Sequence, residues 1–215
     1  PEDRSTVSNR APIPQLPADE SPCFVIREIK LDGDMAERFF NLIDSANRAA
    51  DGTDDTLIGR CIGTTGLGIA IRRMQNELLR RGYVTTRVLA GPQDLTKGVF
   101  TVTLIPGRLR TIRFATDTSP RATSWNAMPF QAGDLLNLRA IEQALENFKR
   151  LPSAEADILI EPANGKNVPP GYSDLVVQWR QRFPFRFNLY LDNSGLESTG
   201  RYMGTLTLSY DPALT

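Results

Sequence analysis

The stretch Leu67–Gly107, "LGIAIRRMQNELLRRGYVTTRVLAGPQDLTKGVFTVTLIPG", changes its hydrophobic period partway along, and that change decides the fold. Its first part puts Leu67, Ile71, Met74 and Leu78 on one helical stripe. Arg80 and Arg81 sit at the negative end of the helix dipole, and Gly82 supplies a stop. Two short alternating runs follow, "YVTTRVLA" and "VFTVTLI", joined by the turn-rich "GPQDLTKG". The pattern predicts a helix followed by a β-hairpin.

Toward the N-terminus, "CFVIREIKLDG" (23–33) alternates and ends in glycine, as a strand does. "DMAERFFNLIDSANRAADG" (34–52) then carries Met35, Phe39, Leu42 and Ala46 at helical spacing. Asp34 at the N-cap with Glu37 three residues later resembles a capping box, and Gly52 marks the stop. The order is β-α-α-β-β, and toward the C-terminus it recurs. "RLRTIRFA" (108–115) reads as a strand and "SWNAMPFQAGDLL" (124–136) as a short, irregular helical region. "NLRAIEQALENFKRLP" (137–152) is a helix with Asn137 as cap and Leu138, Ile141, Leu145 and Phe148 as stripe. "EADILIEP" and "SDLVVQWR" are two further strands, with Leu175, Val177 and Trp179 as core. Trp125 lies where the pattern is weakest and serves either core or contact surface. The repeat of roughly 75–80 residues gives an α+β chain in which each unit covers one sheet face with its helices. The other face and a sheet edge stay open.

The flanks differ from the repeat. Residues 1–22 are rich in Pro, Ser and charge and read as an extended tether that contributes nothing to a core. At the other end, Phe185, Phe187, Leu189 and Leu191 alternate with Arg186, Asn188, Tyr190 and Asp192. After a turn, Tyr202, Gly204, Leu206, Leu208 and Tyr210 alternate with Met203, Thr205, Thr207 and Ser209. Two such segments with aromatics near their ends have the pattern of one hairpin of a membrane β-barrel.

Composition narrows the chemistry. The 25 basic and 25 acidic side chains balance, so the basic footprint of a nucleic-acid binder is missing. With no histidine, His-based triads and His metal sites are excluded, which argues against an enzyme. No paired acids stand at a catalytic spacing. No phosphate-loop motif occurs, and "GTTGLGIA" (63–70) reads as the start of a helix, so no nucleotide or other cofactor is expected. Asp51, Asp54 and Asp55 lack EF-hand spacing and read as a solvated loop, with no metal site. Cys23 and Cys61 form no zinc or redox motif. On spacing alone, two buried thiols and one disulfide are equally tenable.

Two β-α-α-β-β units followed by an amphipathic hairpin resemble paired POTRA domains leading into an outer-membrane barrel. The phrases "CFVIREIKLDG", "GRCIGTTGL", "RRGYVTTRVLAGPQDLTKGVFTVTLIPGR" and "LDNSGLESTGRYMG" are similar to those of two-partner secretion transporters. That family exports filamentous haemagglutinins, haemolysins and contact-dependent inhibition toxins. The resemblance implies a tether over 1–22, POTRA domains over 23–107 and 108–182, and the first hairpin of an incomplete transmembrane barrel over 183–215. The remaining strands, the plug helix and the pore-lining loop fall outside the chain. It further implies an outer-membrane protein with these domains in the periplasm, and a Cys23–Cys61 disulfide, which would contribute roughly 4 kcal/mol through its loop of about 40 residues.

The implied partner is an unfolded secreted exoprotein with an N-terminal secretion domain, with membrane lipid contacting the complete barrel. No nucleic acid or nucleotide takes part. Capture by strand addition would use the middle strand of each unit, Gly82–Ala90 and Glu155–Pro162, as the exposed edge. Val84, Thr86 and Val88 would pack on the helices, leaving Tyr83, Thr85, Arg87 and Leu89 for the partner. In the second unit Ile158 and Ile160 would face inward and Asp157, Leu159 and Glu161 outward. A barrel-assembly or general periplasmic interaction module of the same superfamily is the alternative, and it would be expected to show more POTRA copies.

Overall fold

The computed structural model describes residues 13–118, 128–165, 168–196 and 200–211. These fall into two compact units. The first takes in 13–108, Leu135–Leu138 and 168–172, and the second takes in the rest.

The first unit contains strands β1 (Phe24–Val25), β2 (Glu28–Gly33), β3 (Cys61–Ile62), β4 (Arg87–Leu89) and β5 (Val99–Ile105), with helices α1 (Leu42–Ala46) and α2 (Thr64–Arg80). β5 is the central strand of a three-stranded sheet, parallel to β2 and antiparallel to β4. β1 and β3 form a separate antiparallel pair. The single strand expected over 23–33 is therefore two. Between them Ile26 is fully buried, and the N–H groups of Ile26 and Arg27 bond the carbonyls of Arg60 and Gly98. The backbone changes partner there to bring Ile26 into the core.

The helix expected over 34–52 is also divided. Gly33 and Met35 both have positive φ (107° and 62°), which turns the chain sharply out of β2. A left-handed Met35 cannot continue a right-handed helix. A 3-10 turn (Ala36–Phe39) precedes α1, and Asp34 makes no capping hydrogen bond but pairs with Arg108 at 2.7 Å. Phe39, Leu42 and Ala46 still reach the core. They join Ile69, Ala70, Met74 and Leu78 of α2 and Phe100, Val102 and Leu104 of β5. Leu67 and Ile71 lie at the margin, so the buried stripe of α2 is rotated from the one read off the sequence.

Residues 13–22 depart most from expectation. Leu16 is a core residue, and the backbone of Pro14, Leu16 and Pro17 is hydrogen-bonded to side chains of the first unit. Composition made this stretch look like a free tether, yet one leucine and several backbone groups lace it down.

The second unit carries β6 (Arg108–Phe114), α3 (Leu138–Phe148), β7 (Ala154–Pro162) and β8 (Tyr172–Gln181), with strand order β6-β8-β7. Phe148, Val177 and Trp179 form its core with Ile112, Phe114, Ala156 and Ile158 at the margin. The indole N–H of Trp179 donates to the Phe148 carbonyl at 3.1 Å. Of the helical region expected over 124–136, Trp125 and its neighbours lie outside the described residues, and 128–136 contain turns and no helix. The hairpin follows as β9 (Phe185–Asp192) and β10 (Met203–Tyr210).

Candidate functional site

β4 and β7 each lie at the edge of a three-stranded sheet. At β4, Arg87 is opposite Ile105, Val88 opposite Leu104 and Leu89 opposite Thr103. In an antiparallel ladder every second residue turns its N–H and C=O away from the partner strand. Along this edge those outward groups belong to Val88 and to Thr86, which immediately precedes β4. One group of each is engaged by one side chain, Gln75 of α2. Its amide nitrogen donates to the Thr86 carbonyl at 2.9 Å, and its amide oxygen accepts from the Val88 N–H at 3.2 Å.

The strand expected over 82–90 is thus only three residues long, and the reason lies at the end of α2. The N–H of Gly82 (φ 89°) bonds the Leu79 carbonyl, and the N–H of Tyr83 bonds that of Leu78. This pair of bonds is a Schellman motif, which turns the residue after the glycine back onto the helix. Tyr83 therefore packs edge-on against Phe39, centroids 4.9 Å apart, and belongs to the core margin. Thr85 is half-buried, its hydroxyl without a partner among the described residues. Neither Tyr83 nor Thr85 lies on an outward strand face, which corrects the expectation. Arg87 and Leu89 do, Leu89 being 52% exposed.

β7 is a longer edge. Its nine residues pair with β8 from Ala154↔Gln181 to Pro162↔Ser173. The bond from Arg182 N–H to the Ser153 carbonyl sets the alternation, so Ala154, Ala156, Ile158 and Ile160 point their polar backbone groups away from β8. The Asp157 carboxylate accepts the outward N–H of Ile158 at 2.9 Å. The side chains of Ala156 and Ile158 pack on the core, while Asp157 and Leu159 (43%) are exposed. Glu161 forms an ion pair with Arg113. Beyond β7 no further strand lies among the described residues.

Two acids hold residues 14–20 to the first unit. Asp55 accepts from Arg73 at 2.5 Å, Arg60 at 2.8 Å and the Leu16 N–H at 2.7 Å. The Arg73 side chain is almost wholly buried. Burial works to raise the Asp55 pKa, but the Arg73, Leu16 and Arg60 donors outweigh it and hold the carboxyl below its ordinary value. Glu20 accepts from the N–H groups of Gly63, Thr65 and Gly66 at the start of α2. Burial again opposes ionisation, and those donors again prevail, lowering its pKa. The glycines of "GTTG" make room: a Cβ on Gly66 would stand 2.7 Å from Ile62 Cγ2 and 2.8 Å from Glu20. Cys23 and Cys61 are joined by a disulfide beside the β1–β3 pair.

Sequence reasoning did not find Gln75, Glu20 or Arg73, and it read Asp55 as part of a solvated loop, whereas its carboxylate is largely withdrawn from water between Arg73 and Arg60. One signal was available: Arg73 falls on the apolar face of α2 beside Met74, where a charge needs a buried counter-ion.

In the hairpin the register pairs like with like. Phe185 is opposite Tyr210, Phe187 opposite Leu208 and Leu189 opposite Leu206, while Arg186 meets Ser209 and Asn188 meets Thr207. The apolar members are exposed. Asp211 ties the hairpin base, pairing with Arg186 at 2.9 Å and accepting from Gln181 through its carbonyl.

Family models match the chain in three consecutive stretches. Residues 24–107 match a POTRA domain of ShlB type, 108–162 a POTRA domain, and 171–215 the haemolysin secretion/activation protein ShlB/FhaC/HecB. The outer membrane transporter CdiB-2 of Burkholderia pseudomallei is 36% identical over 218 residues, covering 98% of this chain and 36% of that protein. The solved CdiB from Acinetobacter baumannii superposes with a TM-score of 0.73 at 33% identity, over 89% of this chain and 36% of that one. CdiB from Escherichia coli gives a TM-score of 0.69 at 30% identity, over 93% and 36%. The chain thus spans about a third of the length of these relatives. The order of the matches follows the order of the two units and the hairpin, and the chain belongs to the two-partner secretion outer-membrane transporters of the ShlB/FhaC/HecB family.

Proposed function

We propose that this chain is the periplasmic, substrate-recognition part of such a transporter. In this reading 23–107 and 108–182 are POTRA domains and 183–215 opens a barrel whose apolar face, Phe187 to Leu208, meets lipid. The POTRA domains capture an unfolded secreted adhesin, haemolysin or toxin and feed it to the pore. Binding is by strand addition, with backbone hydrogen bonds supplying affinity and alternate side-chain positions supplying selectivity. Asp157, Leu159 and Glu161, together with Arg87 and Leu89, are the side chains a docked strand meets.

The observation that carries the reading is β7, a nine-residue edge strand whose outward backbone groups at Ala156 and Ile160 have no neighbouring strand among the described residues. The test uses the full chain and the fluorescently labelled N-terminal secretion domain of the exoprotein encoded beside it, denatured and then rapidly diluted. Anisotropy should show saturable binding. Ala156→Pro and Ile160→Pro each remove one outward N–H, a change that edge strands tolerate. Each should weaken binding while circular dichroism stays unchanged. Full binding by the folded double variant would rule out β7 as the site.

A further inference from the structure

We infer that Gln75 is a built-in competitor for the β4 edge, so that an incoming polypeptide adds first to β7. The inference rests on the strand-addition reading and says which edge is open.

One residue of an added strand would offer its N–H and its C=O to the outward groups along this edge. The Gln75 amide already does this: its N–H reaches the Thr86 carbonyl at 2.9 Å, and its oxygen takes the Val88 N–H at 3.2 Å. One primary amide therefore makes the two hydrogen bonds that one residue of a neighbouring strand would make. Only this orientation of the amide satisfies both contacts, since Thr86 offers an acceptor and Val88 a donor. The competitor is held in place from both sides. Gln75 follows the buried Met74 on a 17-residue helix, and Val88 and Thr86 are themselves buried. β4 has only three residues, and Gln75 engages two of the four outward backbone groups of Val88 and of Thr86 just before it.

β7 contrasts on each point. It has nine residues; its outward Ile158 N–H is bonded by the adjacent Asp157 and its outward Ala154 N–H by the Leu151 carbonyl, and among the described residues no other outward N–H of β7 has a side-chain partner. Among the described residues no side-chain amide bridges two positions of β7 as Gln75 bridges Thr86 and Val88. An intramolecular partner that must leave before a ligand binds reduces apparent affinity by the fraction of time it is in place. The occupant that can displace it is an extended polypeptide with unsatisfied backbone donors and acceptors.

The experiment compares four full-length versions of the chain against the same labelled secretion domain: unaltered, Gln75→Met, the β7-blocked Ala156→Pro/Ile160→Pro, and the triple variant. Hydrogen exchange at the Val88 amide reports whether the latch is open. Methionine keeps the length of glutamine and removes both hydrogen bonds. Val88 should then exchange faster, and the triple variant should regain binding that the β7-blocked chain has lost, by about tenfold in Kd, the worth of one to two net hydrogen bonds. Full-affinity binding by the β7-blocked chain with Gln75 intact overturns the inference. So does a triple variant that exchanges fast at Val88 yet stays non-binding. Absence of binding by both the unaltered chain and Gln75→Met instead refutes strand addition itself. Should Gln75→Met unfold, Gln75→Glu keeps the acceptor for Val88 and loses only the donor to Thr86, and it should give a smaller gain in the same direction.

Discussion

Asp55 and Arg73 meet at 2.5 Å beneath residues 14–17, an ion pair in which the arginine is almost wholly withdrawn from water. Removing one member of a buried pair leaves an uncompensated charge, typically at a cost of about 3–5 kcal/mol. Asp55→Ala should therefore destabilise the first unit by about that amount in urea unfolding, whereas the exposed Arg182–Glu155 pair should contribute at most about 1 kcal/mol.

The same carboxyl sets a pH dependence. Its folded pKa lies below its unfolded value. The stabilisation is then complete above the unfolded pKa, near pH 4, and is lost as pH falls through the folded one. Glu20 acts with the same sign. Unfolding midpoints should drop on acidification below about pH 4, and Asp55→Asn should flatten that drop while lowering stability at pH 7.

Glu20 caps a helix from more than forty residues away in sequence. Glu20→Ala should cost about 1–2 kcal/mol, in the upper range for loss of a helix cap. The informative measurement is amide exchange at Gly63, Thr65 and Gly66. Faster exchange there with unchanged exchange in β5 is expected, and uniform acceleration would mean that the cap is not local.

Gly66→Ala sets helix propensity against space. Alanine favours a helix over glycine by about 1 kcal/mol, but its Cβ would press on Ile62 and the Glu20 carboxylate. Overpacking of that kind costs about 1–3 kcal/mol, so thermal melting should show a net loss of stability.

Reducing the Cys23–Cys61 bridge releases a loop of 38-residue separation. The chain-entropy model gives about 4 kcal/mol for its loss. The paired Cys23→Ser/Cys61→Ser variant should show a correspondingly lower unfolding midpoint, and dithiothreitol should have no further effect on it.

The sequence made the repeat and the hairpin legible because both depend on periodicity, and burial enforces periodicity. That Leu189 and Leu206 each lie on the apolar face of their strand, and Trp179 in the core, follows from period two alone, whereas the pairing of Leu189 with Leu206 is set by the register. What it hid depends on contacts between distant residues. Tyr83 continues a plausible strand pattern, but the Schellman turn at Gly82 pulls it onto Phe39. Residues 13–22 have a tether's composition, yet their hold comes from backbone groups, one buried leucine and one carboxylate, which no composition measure registers. Gln75 resembles any half-exposed helical glutamine until the strand beside it is placed.

Residues 14–20 are fastened at successive points: Pro14 to Arg73, Leu16 to Asp55, Pro17 to Arg60 and Glu20 to the start of α2. Fastenings in series along a strap share a load poorly when the strap is lifted from one end. Tension applied from the side of residue 13 falls first on the Pro14 clasp, then on the next, and reaches Glu20 last. The segment would come away in steps at modest force, and α2 would feel the pull at its middle, through Arg73, before it felt it at its tip.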